Sequence, residues 1–79
     1  MKIEDQYLKF VRWSEEDKVY IGYCPDLFPW GGVCHADTEE NAFVEVCSLV
    51  REEIEELQRD GKQLPSSKTR PMRDVEFAA

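Results

Sequence analysis

The residues with the chemistry for catalysis or metal binding are few. Cys24, Cys34 and Cys47 supply thiols, His35 the one imidazole, and Asp26, Asp37 and Glu40 carboxylates near the middle of the chain. A structural zinc site favours ligands paired at a spacing of about two to four residues. Only Cys34 and His35 are close, and neighbours on a strand point to opposite faces. The same geometry argues against a Cys–His nucleophile pair, and no third group stands out to orient the histidine. Nuclease chemistry on two metal ions needs several converging carboxylates. Residues 7–13 hold none, Asp26 falls in a loop, and Asp37 and Glu40 have capping work at a helix start. No catalytic residue, cofactor or metal ligand is therefore expected. The thiols read as buried or half-buried small apolar groups. An odd set of three gives no disulfide framework and fits a reducing cytoplasm.

The element that must organise these residues is a helix over about 38–60. Phe43, Val46, Cys47, Val50, Ile54 and Leu57 recur at three- and four-residue steps and fall within an arc of roughly 100°, a normal width for a core-facing stripe. Glu45, Glu52, Glu55, Glu56 and Arg59 point away from it. Asp37 or Thr38 can cap the start, Asp37 with Glu40 having capping-box spacing, and Gly61 suits the left-handed residue after the last turn. Ahead of the helix, residues 7–13 and 18–24 are rich in aromatic and β-branched residues and read as an antiparallel hairpin around Ser14-Glu15-Glu16-Asp17. Val19, Ile21 and Tyr23 share one face of the second strand, Tyr20 and Cys24 the other, and both faces are apolar, so pattern alone does not say which is covered. Pro25-Asp26-Leu27-Phe28-Pro29-Trp30-Gly31-Gly32 is a loop, since two prolines and a glycine pair forbid regular pairing. Residues 32–36 form a short third strand. Residues 1–6 read as a frayed or extended lead-in and 62–71 as a polar linker, and the alternation in 72–77 predicts a parallel edge strand. The expectation is a single α+β domain over 1–79, β-β-β-α-β in two layers, with a three-stranded antiparallel meander under one helix.

Seventy-nine residues make one domain with a small core. A net charge of −7 disfavours direct binding of nucleic acid, which needs a basic surface, and suits a basic protein partner or simple solubility. No apolar run approaches a membrane span, and the charged start lacks a signal peptide's hydrophobic region.

Several of these segments together resemble the N-terminal domain of HicB antitoxins. The resemblance rests on Tyr20 in the second strand, Pro25-Asp26-Leu27 after it, Asp37, Thr38, Glu40 and Ala42 at the helix start, and Asp60-Gly61-Lys62-Gln63-Leu64-Pro65 after the helix. It covers roughly residues 7–66. Each motif is weak alone; order and spacing carry the signal. Ala36 stands where the family has glycine, and Phe28-Pro29-Trp30-Gly31-Gly32 is longer than the usual loop. The family's C-terminal DNA-binding domain finds no room before Ala79, so the resemblance leaves open whether the family's second role, operon repression, applies here. The resemblance implies a partial ribonuclease-H-like fold that binds and blocks a HicA-type toxin, a small basic RNA-cleaving protein.

On that reading the partner-binding residues are Asp26, Trp30, Glu45, Glu52 and Glu56. Asp26 has an Asx turn as an alternative role. Trp30 is either an interface anchor or a lid folded onto the sheet, and the helix glutamates either meet a basic partner or are simply solvated. The alternative function is a stand-alone scaffold or dimerisation module without a toxin, pairing through an exposed edge strand.

Overall fold

The computed structural model describes residues 2–68. Strands β1 (Phe10–Ser14), β2 (Val19–Tyr23) and β3 (Cys34–Ala36) form one antiparallel sheet in the order β1-β2-β3, and a single helix, α1 (Glu39–Arg59), packs on it. This is the α+β, two-layer meander that the periodicities imply. The expected strand at 72–77 lies outside the described residues.

Helix α1 begins where the sequence marks it. Of the two candidate caps Thr38 does the work: its backbone is extended and its hydroxyl accepts the Asn41 amide at 3.1 Å. At the other end Gly61 takes a positive φ of 71°. The Gly61 amide then reaches the Gln58 carbonyl at 3.1 Å and the Lys62 amide the Leu57 carbonyl at 2.9 Å. That pair of bonds satisfies carbonyls the helix leaves open.

The sheet face left open by pattern is decided by Gly22. A Cβ there would lie 2.8 Å from Cys34 Sγ, 2.9 Å from Val46 Cβ and 3.3 Å from the Ala42 carbonyl oxygen. The missing side chain is what lets α1 descend onto β2. Cross-strand pairing of Val11 with Gly22, Trp13 with Tyr20, Gly22 with Cys34 and Tyr20 with Ala36 puts these residues on the helix side. Cys24 follows in the same alternation and is fully buried. The face bearing Val19, Ile21 and Tyr23 has no layer over it among the described residues.

The core gathers Tyr7, Cys24, Leu27, Phe28, Val46, Val50 and Ile54. Two of these, Leu27 and Phe28, come from a loop with no periodic signal. The carbonyl of Cys24 accepts the amides of both Leu27 and Phe28 (3.2 and 2.8 Å), and this tight turn folds Leu27 and Phe28 inward. Tyr7 precedes β1 rather than lying in it. The lead-in is also more ordered than the sequence suggests. Ile3–Gln6 is a 3₁₀ turn held to α1 by an Arg51–Glu4 ion pair at 3.2 Å.

Phe43 departs from the expected stripe. It is 41 % exposed, while Ala42, one position earlier, is fully buried. The buried line is Ala42, Val46, Val50 and Ile54, a strict four-residue step. The close approach at Gly22 aims this line at β2, so Phe43 is rotated toward β1, where it borders a groove with Phe10 and Val11.

Gly22→Ala is expected to lower stability by about 1–3 kcal/mol, since the helix must back away from the sheet. Val50→Ala should cost about 2 kcal/mol or more and Phe43→Ser under about 1 kcal/mol. Urea unfolding followed by circular dichroism checks all three.

Candidate functional site

The residues singled out for chemistry do not converge. Cys34 turns under the helix and offers its thiol to the Ala42 carbonyl at 3.5 Å. His35, its neighbour, is exposed on the other face of the sheet, beside Ile21. Among the described residues no three of His, Cys, Asp and Glu sit together as metal ligands do. Asp37 and Glu40 are exposed near the helix start.

Two of the thiols, Cys24 and Cys34, are poor nucleophiles in this setting. Burial pushes Cys24 above the ordinary thiol range. Burial also raises Cys34, with the charge of Glu45 adding to the effect. Both stay protonated at neutral pH, the opposite of a reactive cysteine.

The partner-binding candidates fall into three separate places. Glu45, Glu52 and Glu56 are all exposed. At 100° per residue they lie within roughly 40° of one another, forming a single ridge along one flank of α1. The influence of Glu45 on Cys34 puts the start of that ridge beside β3. Helix α1 carries Glu39, Glu40, Glu45, Glu52, Glu53, Glu55 and Glu56 against only Arg51 and Arg59. The ion pairs found among the described residues, Lys18–Glu15 and Arg51–Glu4, leave the glutamates of α1 out.

Trp30 is 72 % exposed, so it is no lid over the sheet. Its ring meets Phe28 edge-on at 5.5 Å, and the buried Phe28 holds the exposed indole in place.

Asp26 has a structural task that the sequence does not reveal. Its carboxylate accepts the backbone amide of Lys68 at 2.9 Å. Nearby, the Tyr7 hydroxyl donates to the Pro65 carbonyl at 2.6 Å and the Ser67 hydroxyl donates to the Gln6 carbonyl. Residues 64–68 are therefore clasped against the lead-in and the turn after β2, with Leu64 packed on the core. Such contacts join residues far apart in the chain, and no local pattern announces them. The only hint is that Leu64-Pro65 interrupts an otherwise polar run.

The clasp makes Tyr7 titrate late. Burial raises its pKa above the ordinary phenol value of 10.0, and the charge of Asp26 adds to the shift. The neutral phenol is thus favoured in the fold. Its contribution is complete below the unfolded value near 10 and is lost as pH rises through the higher folded value.

No protein-family model matches the chain, and neither a curated protein nor a solved structure does. In keeping with the sequence, no helix among the described residues is long and apolar enough to cross a membrane.

Tyr7→Phe removes the clasp's hydroxyl and should cost about 0.5–1.5 kcal/mol at pH 7. It should also lessen the fall in stability above pH 10, as measured by urea midpoints across pH 8–11. Ellman's reagent should find Cys24 unreactive in the folded protein and accessible once denaturant is added.

Proposed function

We propose that this chain is a HicB-like, non-catalytic binding domain that inhibits a small basic RNA-cleaving protein by covering its active surface. The observation that carries the reading is the ridge of Glu45, Glu52 and Glu56, exposed and outside the ion pairs found among the described residues. An RNA-cleaving surface must be cationic to hold phosphates. A rigid line of carboxylates competes for the same cations, speeds encounter and fixes orientation. Trp30 supports the reading as a second anchor, because a pre-positioned exposed indole gains much apolar burial at little entropic cost. Asp26 contributes indirectly by holding the clasp beside the loop that carries Trp30.

On this reading the domain is a partial ribonuclease-H-like fold without chemistry of its own. It uses no cofactor or metal and does not bind nucleic acid directly. Its thiols remain reduced, as in the cytoplasm. Inhibition is stoichiometric, one acidic ridge per toxin surface.

The test pairs this chain with a basic protein encoded beside it. Co-purification and loss of RNA cleavage at a one-to-one ratio are expected, with weaker binding at high salt. Reversing charge at the ridge (Glu45→Lys, Glu52→Lys and Glu56→Lys together) should weaken the complex by at least about tenfold while leaving the fold intact. Trp30→Ala should cost about 2 kcal/mol of binding. RNA cleavage that proceeds unimpeded in excess of this chain rules the role out.

A further inference from the structure

We draw no further inference here: the strongest candidate, the groove between β1 and the start of α1 lined by Phe10, Val11, Phe43 and Val44 with Glu39 and Glu40 beside them, is an apolar surface for which nothing in the structure shows what covers it.

Discussion

The fold depends on one close contact, between the bare backbone of β2 at Gly22 and the first turns of α1. Helix and sheet can approach until Val46 Cβ and the Ala42 carbonyl occupy the space a side chain would need. This approach sets which residues of the helix are buried. It selects the line Ala42, Val46, Val50 and Ile54 and turns Phe43 aside. It also sets which face of the sheet is covered, because every cross-strand neighbour of Gly22 must share its side. In so small a core, one such choice propagates to all the rest.

The distribution of charge follows from the same geometry. With the Ala42 line fixed against the sheet, Glu45, Glu52 and Glu56 come to one flank of α1, and Glu45 is near enough to Cys34 on β3 for its charge to act on that thiol. The domain thus presents two unlike surfaces: an acidic ridge on the helix and, among the described residues, an apolar sheet face with no layer over it. Neither needs a reactive group, and burial keeps the two thiols nearest the core protonated. Trp30, held by Phe28, projects from a loop whose tight turn is part of the core.

Much of the architecture was legible in the sequence, because it is written in periodicities. The amphipathic repeat gives α1, Thr38 and Gly61 give its limits, and runs of aromatic and β-branched residues give β1 and β2. The burial of Leu27 and Phe28 was not legible, since an apolar pair between prolines has no period to read. Nor was the clasp of Tyr7, Asp26, Pro65 and Lys68, whose bonds span up to 58 positions. Phe43 illustrates a finer limit. A stripe of roughly 100° tolerates a rotation that moves one residue in and another out, and only the contact at Gly22 chooses between them. The alignment of Glu45, Glu52 and Glu56 was implicit in their spacing, but its place beside β3 required the helix to be docked.

The most direct test of this account is a nuclear Overhauser map of the methyl groups of α1 in solution. The account predicts strong contacts from the Val46 methyls to the α-protons of Gly22 and the β-protons of Cys34. Contacts from Val46 and Val50 to Ile21 and Val19 instead would mean that the helix covers the opposite face of the sheet. The division into an acidic ridge and an apolar face with no layer over it among the described residues would then fail.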